Sequence, residues 1–193
     1  MSINSINLQL KNKMKMKLKQ ILASTLFILA LASCKNETKE VAKPDAAKLP
    51  ETFNIAFNLT VLKDDTFQLF YTEDGSLNFG EQKSVKSVIK GSTTAQEILF
   101  KLPVDVLPTN IRLDFGDNKA QDEITVNSMR LKYFAKTFNA SENMVKKYFY
   151  TNDFQLKYDD KTSKVKAVIT NGVYDPLMWS NDALGAELTK ITR

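Results

Sequence analysis

From Thr52 onward, apolar residues recur at every second position along most of the chain. Phe53, Ile55, Phe57, Leu59 and Val61 alternate with mostly polar neighbours, as in a strand with one buried face. Lys63-Asp64-Asp65 interrupts the pattern, Phe67, Leu69 and Tyr71 resume it, and Glu73-Asp74-Gly75 turns the chain. Further strands are predicted over Val85 to Ile89, at Ile98, Phe100 and Leu102 up to Pro103, and at Ile111, Leu113 and Phe115 before a loop from Gly116 to Glu123. Ile124 and Val126 then have the opposite parity to Met129, Leu131 and Tyr133, which a bulge at Asn127-Ser128 would reconcile. Phe154, Leu156 and Tyr158, then Val165, Ala167 and Ile169, flank an Asp-Asp-Lys-Thr-Ser turn and predict a hairpin. One helix is expected over Ser141 to Phe149, with Ser141 as N-cap and Met144, Val145, Tyr148 and Phe149 on one side. A last strand is expected over Ala186 to Ile191.

Eight or nine short strands, regularly spaced and joined by turns, make the chain all-β. They predict an antiparallel β-sandwich, of the jelly-roll kind, with one short helix. The alternative is a lipocalin-like up-and-down barrel. The chain lacks that family's Gly-x-Trp signature near the first strand, since its only tryptophan is Trp179.

Composition removes several classes of chemistry. The 193 residues include no histidine, which excludes Ser-His-Asp and Cys-His catalysis and histidine-ligated zinc. No other catalytic constellation is recognisable, and no enzymatic activity is expected. The formal net charge of +5 is misleading. Five lysines, Lys11 to Lys19, precede the single cysteine Cys34, and the remainder holds 22 basic and 22 acidic side chains. A nucleic-acid partner, which needs an excess of Lys and Arg, is therefore not expected.

The lysine-rich start runs into thirteen apolar or small residues, Ile21 to Ser33, too short to span a bilayer as a helix. Leu31-Ala32-Ser33-Cys34 resembles the lipobox of bacterial lipoproteins. The resemblance implies removal of residues 1–33 as a signal peptide and lipid attachment at Cys34. It places the protein at the outer membrane, on its periplasmic or cell-surface side. Lys35-Asn36-Glu37 is similar to the surface-export signals of Bacteroidetes lipoproteins, with Asn36 where a second acid is usual. Residues 34–50 lack aromatics and are rich in charge, so they predict a flexible tether reaching roughly 20 Å as a coil. Residues 51–193 are then the single folded domain.

Phe67-Gln68-Leu69-Phe70-Tyr71, Ile111-Arg112-Leu113-Asp114-Phe115-Gly116 and the strand Ile124 to Tyr133 together resemble β-sandwich modules of carbohydrate-associated bacterial proteins. That resemblance implies a jelly-roll fold and a glycan context, with no catalytic residues. The aromatic inventory points the same way, because sugars stack apolar C–H faces on rings and offer hydroxyls to amides and carboxylates. Trp179 and Tyr174 fall with Asp175, Asn181 and Asp182 in a stretch expected to be loop, and Phe70 and Tyr71 could extend a platform. Arg112 and Asp114 share one strand face, either simply solvated or contacting a ligand. The candidate carbohydrate residues are thus Trp179, Tyr174, Asp175, Arg112 and Asp114. The alternative for Trp179 and Tyr174 is that they close the end of the core. Asp117, Asn118 and Asp122 are weak candidates for a structural calcium, against a plain solvated turn. The leading function is carbohydrate binding; the alternative is an adaptor that holds a partner protein at the cell envelope.

Overall fold

The structure, a computed structural model, describes residues 51–141 and 143–193. These lie within one compact unit, Leu49–Arg193. The expected signal peptide, Cys34 and the expected tether lie outside the described residues.

Thirteen strands are found among the described residues. They are β1 (Thr52–Thr60), β2 (Asp65–Thr72), β3 (Ser84–Ile89), β4 (Gln96–Val104), β5 (Asn110–Asp114), β6 (Glu123–Tyr133), β7 (Lys136–Ala140), β8 (Phe149–Thr151), β9 (Leu156–Asp159), β10 (Lys164–Ala167), β11 (Ile169–Thr170), β12 (Val173–Tyr174) and β13 (Leu177–Ser180). Two helices join them, α1 (Met144–Tyr148) and α2 (Asp182–Thr192). Sheet 1 has the order β4-β1-β6-β10-β9, with β7 also on β6; sheet 2 has the order β3-β2-β5-β13-β8. The pairings are antiparallel. The chain stays within a sheet at the β2–β3, β6–β7 and β9–β10 hairpins and otherwise crosses repeatedly between the two. This is an antiparallel β-sandwich. Eleven of the described strands divide between two open sheets and β11 pairs only with β12, so the barrel alternative is not the fold.

The period-two residues meet between the sheets. Phe53, Phe57 and Phe100 of sheet 1 and Phe67 of sheet 2 are fully buried, and Phe67 meets Phe115 edge-on at 5.5 Å. Burying a side chain of this size contributes about 1.5–3 kcal/mol. The expected bulge is present. Asn58 pairs with Ser128 but Leu59 pairs with Val126, so Asn127 is extra. Ile124, Val126, Met129 and Leu131 consequently all enter the core. Pro103 does not stop its strand, because β4 is an edge strand with β1 as its one partner in the sheet, and a missing N–H is tolerated there.

Three expectations require correction. The segment Ala186 to Ile191 is helical. Leu184, Leu188 and Ile191 form a buried i, i+4, i+7 stripe, and the Asn181 side chain accepts from the N–H groups of Ala183 and Leu184. Helix α1 is shorter than predicted, and its N-cap is Asn143 in a left-handed conformation, not Ser141. Phe154 and Ile169 lie beyond the ends of their predicted hairpin strands and are exposed.

Candidate functional site

Alternation along sheet 2 sends Phe67, Leu69, Ile111, Leu113 and Met178 inward. The intervening residues must face out, and antiparallel register aligns them across the strands. Phe70 pairs with Arg112, Arg112 with Trp179, and Trp179 with Tyr150. One row of side chains therefore crosses β2, β5, β13 and β8 on the outer face. A parallel row is Lys86, Gln68, Asp114 and Leu177.

Arg112 organises the first row. Its Cζ lies 4.0 Å from the centroid of Phe70 and 5.6 Å from that of Phe79. Its Nε donates to Asp114 Oδ1 at 2.8 Å and its Nη2 to Asp114 Oδ2 at 2.9 Å. Phe79 belongs to the β2–β3 connection, which folds back over the sheet. Gln68 Nε2 anchors that connection by donating to Glu81 Oε2 and Ser84 Oγ. Phe70 is only 2% exposed although it is on the outer face, because the guanidinium covers it. Burial pushes the Asp114 carboxyl above its ordinary pKa; the Arg112 hydrogen bonds oppose that shift, and the charges of Asp175 and Glu81 reinforce it.

Trp179 is partly exposed, on a strand and not in a loop. Its ring centroid lies 6.1 Å from that of Tyr150, with the planes inclined at 45°. Tyr150 is 50% exposed. The pair forms a twisted aromatic surface beside the Arg112–Asp114 pair.

The second row opens into a groove of about 110 Å³ lined by Gln68, Lys86, Asp114, Asp117, Tyr174 and Asp175. Tyr174 donates its hydroxyl to Asn118 O at 3.1 Å. Burial, then the charges of Asp65 and Asp117, raise its pKa. Asp175 Oδ2 accepts from Gln155 Nε2 at 2.8 Å. The groove floor depends on Gly116, whose φ of +81° favours glycine and whose missing side chain leaves room for Asp65 Oδ1. That oxygen also accepts from the backbone N–H groups of Thr66 and Asp117.

All five residues expected to bind carbohydrate thus lie on one face of sheet 2 or at its margin. Trp179 does not close the core, whereas Tyr174 borders a small void against the core residues Phe115, Ile124, Leu156 and Val165 as well as the groove. Tyr71 does enter the core, at 5% exposure, leaving Phe70 alone of that pair on the outer face. Asn181 and Asp182 belong to the start of α2. Tyr150, Gln68, Lys86 and Phe79 are site residues that the sequence pattern did not single out. Tyr150 could have been found only by pairing β8 with β13, and β8 is three residues long.

The candidate calcium residues have different partners. Asp117 lines the groove, whereas the Asn118 side chain is spent on Asp64 O and Ala120 N. Asp122 pairs with Lys166 at 3.1 Å. Among the described residues, no three His, Cys, Asp or Glu side chains are grouped to hold a metal ion. The face therefore offers an aromatic platform, an internally neutralised Arg–Asp pair and a polar groove. No family model, curated protein or solved structure matches this chain.

Proposed function

We propose that the outer face of sheet 2 is a non-catalytic carbohydrate-binding surface on a lipoprotein anchored through Cys34 to the outer membrane. The observation that carries this reading is the Trp179–Tyr150 pair, part-exposed and aligned in register with Arg112 and Phe70. A rigid apolar surface flanked by amides and carboxylates suits a sugar, which is apolar on its ring faces and polar at its edges. Lipid on Cys34 would hold this surface at the membrane, because each buried methylene contributes about 0.8 kcal/mol.

The test is retardation of the purified protein in native gels containing soluble polysaccharides, with calcium and with a chelator, beside Trp179→Ala. Retardation by a glycan that Trp179→Ala abolishes supports the proposal. Equal mobility of both proteins in every polysaccharide refutes it. Metabolic labelling with a fatty acid, compared with Cys34→Ala, tests the anchor.

One observation favours the adaptor reading. Ile169 and Val173, 56% and 59% exposed, project from the β11–β12 hairpin, and Thr170 Oγ1 of that hairpin donates to the carbonyl of Phe154, itself 71% exposed. Val173 shares its face of the hairpin with Thr170, beside Phe154, while Ile169 is on the other face, and exposed apolar side chains of this kind suit a protein contact. Loss of a co-purifying envelope protein on Phe154→Ser would support this second reading.

A further inference from the structure

Tyr150 belongs to two surfaces at once. It ends the aromatic row on sheet 2, and it also lines a cleft of about 430 Å³ at the side of the sandwich. The cleft lies where β8, the last strand of sheet 2, faces β9, the last strand of sheet 1. Its other walls include Lys146, Thr151, Asp153, Tyr158 and Asp160, and Lys146 Nζ bridges Asp160 Oδ2 at 3.0 Å. No step of the proposed binding so far uses this cleft.

We propose that the cleft is a second subsite for the same ligand, and that the ligand is an uncharged polysaccharide chain lying across the strands. The inference rests on the carbohydrate reading above. Its first support is geometric. From Arg112 on β5 to Tyr150 on β8, the accessible part of the row, is two strand spacings, or about 10 Å. That length already exceeds a single sugar, and the cleft prolongs it around the sheet edge with Tyr150 as the shared wall.

The second support is charge. The groove has Asp114, Asp117 and Asp175 against Lys86 and Arg112, and the cleft has Asp153 and Asp160 against Lys146. Arg112 is not free to clamp an anion, because its Nε–Nη2 edge is occupied by Asp114 and one face of its guanidinium plane lies on the Phe70 ring. A uronic-acid or sulfated chain would meet an excess of carboxylates in both the groove and the cleft. A neutral chain would meet rings and hydrogen-bonding groups.

The experiment titrates purified protein with cello-, xylo- and manno-oligosaccharides of two to six residues, and with oligogalacturonates of the same lengths, by calorimetry. Affinity for at least one neutral series should rise about tenfold or more from two to six residues, while the galacturonates bind no more tightly than the shortest neutral ligand. Asp153→Arg fills the cleft from an exposed position and should remove most of the gain of the hexasaccharide, leaving the disaccharide unchanged. Tyr158→Ala is the second variant and should act alike. Neutral binding that is independent of length, or insensitive to both cleft variants, overturns the second subsite while leaving the carbohydrate reading intact. Tighter binding of galacturonates overturns the charge assignment. Absence of binding by any series overturns this inference, and the carbohydrate reading also falls if native gels show no retardation.

Discussion

Removing Arg112 should damage the fold more than removing its partner. Arg112→Ala deletes two charge-assisted hydrogen bonds, at 2.8 and 2.9 Å, and leaves Asp114 with 21% of its side chain exposed and no counter-ion. It also uncovers Phe70. Full burial of such an orphaned charge costs about 3–5 kcal/mol, and hydrogen bonds to charged groups contribute about 1.5–3 kcal/mol. Allowing for the partial exposure of both groups, Arg112→Ala should cost about 2–3 kcal/mol at pH 7. For a domain of this size that lowers Tm by roughly 5–10 °C. Asp114→Ala leaves the cation stacked on Phe70 and should cost about 1 kcal/mol less. In the double variant no charge is orphaned, so the effects should fall short of additivity by about 1–2 kcal/mol. Urea unfolding of the four proteins, followed by Trp179 fluorescence, completes the cycle. The Arg112→Ala cost should also shrink on acidification, because Asp114 already has a raised pKa and would become protonated and neutral. Additive effects, or an Arg112→Ala cost that is constant down to pH 4, would refute this account of the pair.

Gly116→Ala combines a φ of +81° with a new Cβ against Asp65, and should destabilise the domain by about 2–3 kcal/mol in urea unfolding. Asn181→Ala removes the cap of α2 and its bond from Nδ2 to Lys147 O, and should lower stability by about 1–2 kcal/mol, visible as a lower urea midpoint at an unchanged slope. Asp65 has a folded-state pKa raised by burial, and its Oδ2 is buried without a hydrogen-bond partner. Between its ordinary pKa and the raised value the folded chain holds the extra proton, so this group favours folding increasingly as pH falls. Asp65→Asn should abolish that part of the pH dependence in unfolding measured from pH 6 to pH 4, and a retained dependence would assign it elsewhere.

The sandwich was legible because its core strands keep strict alternation. Phe53 to Val61 and Phe67 to Tyr71 cannot bury a helical face, but they bury a strand face completely. The bulge at Asn127 was legible for the same reason, as a parity change that only an extra residue repairs. Strand β13 was hidden because Leu177, Met178 and Ser180 are all buried, so Leu-Met-Trp-Ser carries no period. Helix α2 was open to recognition through Asn181, Asp182 and the Leu184, Leu188, Ile191 spacing, but Ala186 and Leu188 also alternate as in a short strand. The candidate face was half visible. Arg112 and Asp114 declare a shared strand face, and Trp179 and Tyr174 declare aromatic surface. Their convergence depends on β13 pairing with β5 and β8 across long sequence separations, which no local pattern encodes.

The central claim is that sheet 2 presents its outer row to a glycan, and the single tryptophan reports on it directly. Trp179 emission should be recorded during titration of the purified protein with soluble neutral polysaccharides, alongside Tyr150→Ala. A saturable shift in emission is expected with at least one polysaccharide, weakened about tenfold or more in Tyr150→Ala. Binding established by gel retardation with no change in Trp179 emission, or with Tyr150→Ala indistinguishable from the parent protein, would move the glycan to another surface and contradict the account.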